Sequence, residues 1–160
     1  MERIEPLMLI ENSKKTLRTA DHLIYVTYSI IKEKRLLIKI FETLHSVTLD
    51  VVNAILQNEY SYKRIKIYND IQVNFEIFTN SCAARYGILP EHLNFIAQIL
   101  NLMKKHKESP MEFVRHEKYV IMSDNLHAES LTLDQLKMFL VIVKDLVRKA
   151  ELGIRAQRSC

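Results

Sequence analysis

A chain of 160 residues, 48% hydrophobic and 26% charged, is long enough for one domain with a real core and too apolar to be disordered. Two glycines and three prolines are too few for sandwiches and barrels, which need such residues at each tight turn, and they favour a few long helices. The net charge of +4, from 23 basic and 19 acidic residues, permits a polyanionic partner without requiring one.

Pro6 suits the first turn of a helix, where its missing N–H costs nothing. Ile10, Leu17, Ile24 and Ile31 then recur every seven residues, with Ala20 and Leu23 beside them, which predicts a helix from about Pro6 to Ile31. A helix continuing to Tyr68 would be about 94 Å long, far beyond a compact domain of this size. The reversal is placed at Lys32-Glu33-Lys34-Arg35.

The second helix is expected from about Glu33 to Tyr68. One apolar row runs through Leu37, Phe41, Leu44, Val51 and Ile55, and a second through Leu36, Ile40, Val47 and Ala54. So wide a stripe needs partners on more than one side. Asn69-Asp70 breaks the pattern, with Asp70 as an N-cap. Residues 65–78 fit two periods. Their alternation suits a hairpin turning at Asn69-Asp70, whereas Ile71, Phe75, Phe78, Cys82 and Tyr86 suit a helix stopped by Gly87. The helix explains more of the chain and is preferred.

Pro90 opens a fourth helix whose buried face is Leu93, Ile96, Leu100 and Met103, closed by Lys104, Lys105 and Lys107 at the negative end of its dipole. After Ser109-Pro110, Met111–Arg115 and Lys118–Met122 read as a short hairpin, and Ser123–Leu131 as a polar connection. Thr132-Leu133-Asp134-Gln135 is a capping box. It opens a last helix with Leu136, Phe139, Val143, Leu146 and Ala150 on one face. Met138 to Val143 is apolar all round, which predicts a central helix, and Gly153 is its expected end. The fold expected is an all-α antiparallel bundle of about five helices in one domain, with a β-hairpin near 111–122.

No apolar stretch suits a signal peptide or a membrane span, and Cys82 and Cys160 offer neither a disulfide framework nor zinc spacing. A reduced, cytoplasmic protein without membrane contact is expected. GxGxxG, P-loop, HExxH and GxSxG motifs are absent, so no cofactor is expected. Glu42-Thr-Leu-His45 is a single E-x-x-H where a four-helix di-iron site needs two, and Glu112 and His116 are spaced one residue too far for the second. A polar helix edge accounts for it.

Two features point to partners. In an up-and-down bundle the ends of helices two and four share a pole. That would bring Lys63, Arg64 and Lys66, interleaved with Tyr60, Tyr62 and Tyr68, near Lys104, Lys105 and Lys107. Lysines neutralise phosphates and tyrosine rings stack on unpaired bases, so this pole would suit single-stranded RNA or DNA. The same cations stabilise helix C-termini by ~0.3–1 kcal/mol with no ligand at all. Secondly, Tyr25, Val26 and Tyr28 extend the apolar surface of helix one, and leftover stripe on a helical protein predicts a homo-oligomer or a protein partner.

Arg18-Thr-Ala-Asp-His22 resembles the R-x4-6-H motif of HEPN-domain ribonucleases, which are helical bundles. Here three residues intervene, and the pair lies on the first helix instead of late in the domain. In that family the arginine and histidine act on the RNA phosphodiester, so the resemblance implies a metal-independent ribonuclease using Arg18 and His22. The plain alternative is a solvated helix face shared with Asp21. Through ADHLIYVTYSIIKEKRLL, CAARYGI and SPMEFVRHEKYVIMSDNL the chain is also similar to small archaeal helical proteins, a resemblance that implies a bundle and no activity. The preferred function is a non-enzymatic interaction module, with the ribonuclease as the alternative.

Overall fold

The structure, a computed structural model, describes residues 4–159. It is a bundle of five helices carrying a three-stranded antiparallel sheet, so the expected all-α class is corrected by that sheet.

Helix α1 runs Pro6–His22, widens into a π-helical turn at Leu23–Thr27 and closes with Tyr28–Ile31. Pro6 opens it as expected, and the Glu5 carboxylate accepts from the Met8 N–H at 3.1 Å. In the π turn the Tyr28 N–H reaches back to the Leu23 carbonyl, one residue further than in an α-helix. That extra residue rotates the remainder of the helix by about 100°. Tyr28 lies in the core with Ile24, whereas Ile31, the last member of the heptad pattern, is turned out and 60% exposed. Lys32, at φ 55°, ends the helix through a 2.8 Å bond from its N–H to the Tyr28 carbonyl. The reversal falls where the charged run placed it.

Helix α2 is Leu36–Ser61, and both apolar rows except Leu36 are fully inside. It ends seven residues before Tyr68. Lys63 adopts φ 58°, its N–H bonds the Tyr60 carbonyl, and the Arg64 N–H bonds the Glu59 carbonyl at 3.1 Å. This is a Schellman stop with lysine where glycine is usual. Residues 65–68 form neither helix nor strand. They are held by Asn74, whose side chain bonds both the N–H and the carbonyl of Tyr68, at 2.9 and 2.7 Å.

No hairpin forms at 65–78. Asp70 caps helix α3 by accepting from the Gln72 and Val73 N–H groups. The helix runs Ile71–Ile77, passes through a second π turn at Phe78–Cys82 and tightens to a 3-10 turn at Ala83–Tyr86. Gly87, at φ 71°, stops it as expected. Helix α4 is Pro90–Glu108, with Ile96, Ile99, Leu102 and Met103 buried.

Chain direction decides which residues meet. The start of α3, at Gln72 and Phe75, lies against Leu100 and Lys104 late in α4. Its end, at Tyr86, reaches Asn58 near the end of α2. Thus α3 runs parallel to α2, and α4 runs antiparallel to it.

Strands β1 (Met111–Arg115) and β2 (Lys118–Met122) pair in the expected register, Met111 with Met122 and Arg115 with Lys118. His116 takes the turn position at φ 56° that glycine or asparagine usually fills. The expected polar connection contains a third strand, β3 (Ala128–Leu131), paired with β2.

Thr132 caps helix α5, accepting from the Gln135 N–H at 3.2 Å. The helix runs Leu133–Arg158, past Gly153. Its face Leu136, Phe139, Val143, Leu146 and Ala150 is buried, but Met138 and Val141 stand in solvent, so the segment 138–143 is not enclosed on all sides. Helices α1, α2 and α5 pack on one another around a single apolar core. Ion pairs Lys14–Glu151 and Asp21–Lys144 set α1 antiparallel to α5.

Candidate functional site

The predicted basic pole is not assembled. His106 lies 3.5 Å from Glu42 and 2.6 Å from Glu112, and the charge of Lys107 acts on His45. The end of α4 therefore sits beside the first turns of α2. Arg64 instead bonds Glu59 at 3.1 Å and Gln157 at 2.6 Å, at the other end of α2. Glu42 and Glu59 are 17 positions apart, about 25 Å along a helix. The expectation failed because the irregular stretch and α3 together reverse the direction that a simple up-and-down bundle would give α4.

The two clusters are also partly occupied. Lys105 pairs with Glu129 at 2.6 Å. The Arg64 guanidinium covers the Tyr62 ring at 4.7 Å, and the Tyr62 hydroxyl donates to the Gln157 carbonyl. Tyr60 is half-buried, while Lys63, Lys66, Lys104 and Lys107 remain exposed.

A second polar cluster centres on Glu59, which is fully buried. Its carboxylate accepts from Arg64, from Arg85 and from the Tyr86 hydroxyl at 2.9 Å. Asn58, also fully buried, donates to the Tyr86 oxygen at 2.8 Å and to Gln157 at 3.3 Å. Burial pushes the Tyr86 hydroxyl up to about 12, and burial with the Glu59 charge pushes the Cys82 thiol up to about 11. These groups tie the ends of α2, α3 and α5 together, and they hold a thiol that stays protonated and unreactive. Cys160 lies outside the described residues.

The E-x-x-H pair separates: Glu42 turns to His106, while desolvation, helped by Lys107, lowers His45 to about 4. No group of three or more His, Cys, Asp or Glu side chains suited to a metal occurs among the described residues.

Arg18 and His22 line a groove of about 640 Å³ between α1 and α5. Lys14–Glu151 and Asp21–Lys144 span its two helices seven residues apart. Leu17, Val26 and Val147 supply apolar lining between and beyond these pairs. Beside Val26 in the chain, the Tyr25 ring lies under Lys137 of α5 at 5.4 Å.

The charge on the groove is uneven. Lys14, Arg18, Lys144 and Arg148 line it against only Asp21 and Glu151, and Lys15 borders the adjoining hollow. Both carboxylates already serve Lys14 and Lys144. Arg148 shares Asp145 with Lys149 and His92. Arg18 makes no hydrogen bond or ion pair among the described residues, and His22 has only the Thr27 hydroxyl at 3.3 Å.

The heptad pattern does not mark this groove, because that pattern reports the buried face of α1, whereas the groove is lined mainly by polar residues beside it, Lys14, Arg18, Asp21 and His22. The signals present in the sequence were the Arg18–His22 spacing and the extra apolar residue Val26. No helix is long and apolar enough to cross a membrane among the described residues. The chain matches no protein-family model and no curated protein.

Proposed function

We propose that the protein is a non-enzymatic helical interaction module whose docking surface is the α1–α5 groove. One observation carries the reading: Val26, 42% exposed, lines a groove of about 640 Å³ together with Leu17 and Val147, and charged side chains rim it. Contiguous exposed apolar surface rimmed by charge marks an interaction site, whereas scattered single residues do not. The groove offers no cysteine or serine, so the paired thiol or hydroxyl and base of nucleophilic catalysis do not occur in it.

The test is a photo-cross-link from a benzophenone on Val26→Cys in a Cys160→Ser background, where buried Cys82 does not compete for the label. The same label on Leu126→Cys, in the loop between β2 and β3, is the control. A discrete protein adduct is expected from position 26 and not from position 126. An adduct of twice the chain's mass identifies self-association. Equal labelling from both positions removes the groove from consideration.

A second reading, the ribonuclease, draws on a different observation: Arg18 and His22 line the same groove, one turn apart. A guanidinium free of internal partners can hold a phosphodiester, and an imidazole beside it can take a proton. On this reading the wild type cleaves single-stranded RNA without metal. His22→Ala then lowers the rate at least ~100-fold, the usual contribution of a general base, with unchanged circular dichroism. A wild type that leaves RNA intact ends this reading.

A further inference from the structure

We infer that the occupant of the α1–α5 groove is an amphipathic helix with acidic flanks, contributed by a different protein. The inference rests on the docking reading and adds the identity of the ligand class.

Shape comes first. The groove lies between two antiparallel helices, and its apolar residues on α1 extend from Leu17 to Val26. Nine residues of helix are about 14 Å, which accommodates two to three turns of a third helix laid alongside. A helix in such a groove buries residues at i, i+3, i+4 and i+7 and leaves its flanks at the rim.

Charge then selects among helices. Two carboxylates at the rim are already committed across the groove, to Lys14 and Lys144. Arg18 has no partner among the described residues, and the Arg148 side chain is 60% exposed even while touching Asp145. Acidic flanks on the incoming helix would meet these two guanidinium groups, which suit carboxylates through paired N–H donors. Basic flanks would place like charges together.

The same charges disfavour a second copy of this chain. A two-fold contact sets one surface against itself, so Arg18 and Arg148 of each copy would approach cations of the other. Nucleic acid fits the charge but not the surface. Leu17, Val26 and Val147 offer nothing to phosphate, and no tyrosine or phenylalanine ring lines the groove to receive a base.

Fluorescence anisotropy of the full chain with three labelled probes tests the proposal. Two are helical peptides of about five turns, ~18 residues, with the same leucine stripe and either glutamate or lysine flanks. The third is a single-stranded RNA of comparable length. The glutamate peptide is expected to bind, more weakly as salt rises, and the lysine peptide to bind roughly tenfold or more weakly because like charges meet. Arg18→Glu with Arg148→Glu should reverse that order. Both positions are exposed, so folding should be retained, and Arg18→Glu alone should shift the order the same way. Equal binding of the two peptides, or an order unmoved by Arg18→Glu, overturns the acidic assignment. Binding of RNA alone overturns it in favour of nucleic acid. If neither peptide binds, the proposal falls, and the cross-link from position 26 decides separately whether the docking reading falls with it.

Discussion

Glu59→Ala should destabilise the protein by about 3 kcal/mol, read as a lower urea midpoint at an unchanged slope. Breaking a buried ion pair from one side usually costs 3–5 kcal/mol because a buried charge is left uncompensated. Here the expected value sits at the low end for a specific reason. The stranded charges, Arg64 and Arg85, are only partly enclosed and can turn to water, with side chains 35% and 43% exposed. The Tyr86 hydroxyl cannot do so, since Tyr86 is buried and loses the acceptor it donates to. Glu59→Gln keeps an amide oxygen for Tyr86 and should cost roughly half as much, because the loss is then mainly that of charge assistance. A loss below about 1 kcal/mol for the alanine variant, the net worth of one ordinary hydrogen bond, would mean the cluster does not bind the helix ends together.

The second large effect has a sign opposite to that expected from helix propensity. Replacing a glycine inside a helix by alanine normally gains about 1 kcal/mol. At Gly153 the added Cβ would lie 2.4 Å from Cδ1 and 2.9 Å from Cε1 of Tyr86. The ring must move, and its hydroxyl is bound to both Glu59 and Asn58. Gly153→Ala should therefore destabilise by about 2 kcal/mol, a typical overpacking cost. The decisive measurement is a double-mutant cycle. In a Tyr86→Ala background the obstacle is gone, and Gly153→Ala should become stabilising. If the substitution stabilises the wild type, the ring is not held where the hydrogen bonds place it.

These two residues also mark where the sequence stopped being readable. Helix starts were legible because their chemistry is local: Pro6, Asp70, Pro90 and Thr132 each satisfy or omit N–H groups within four residues. Gly87 was legible as a stop for the same reason. Gly153 carries the same letter but serves a neighbour, making room for a ring 67 positions earlier. The converse error hid the end of α2. Lys63 adopts the left-handed conformation without being glycine or asparagine, so the apolar rows seemed to continue. Strand β3 has only four residues, AESL, and exists through its pairing with β2, which no local pattern announces.

Of the candidate site, the residues were legible and their neighbours were not. Arg18 and His22 stood out by spacing and do line a concave surface. The two lysine clusters stood out by composition, yet their meeting depended on the direction of α4, which residues 65–86 determine. Glu59 had no distinguishing mark. A buried carboxylate becomes apparent only when Arg64, Arg85 and Tyr86 are seen to converge on it.

The widened turn at Leu23–Thr27 has a bearing on how the chain can vary. Flanking residues keep their faces on either side of it, Ile24 and Tyr28 both lying in the core. It therefore behaves as one surplus residue stored in a helix as a loosened loop of backbone. Loss of either Tyr25 or Val26 would leave an ordinary helix with Ile24 and Tyr28 three apart, still on one side. A single-residue deletion, which elsewhere in α1 would turn the helix's remaining faces out of register, would here alter only the lip of the groove. Length variation at this point can thus change what the groove accepts without disturbing the core.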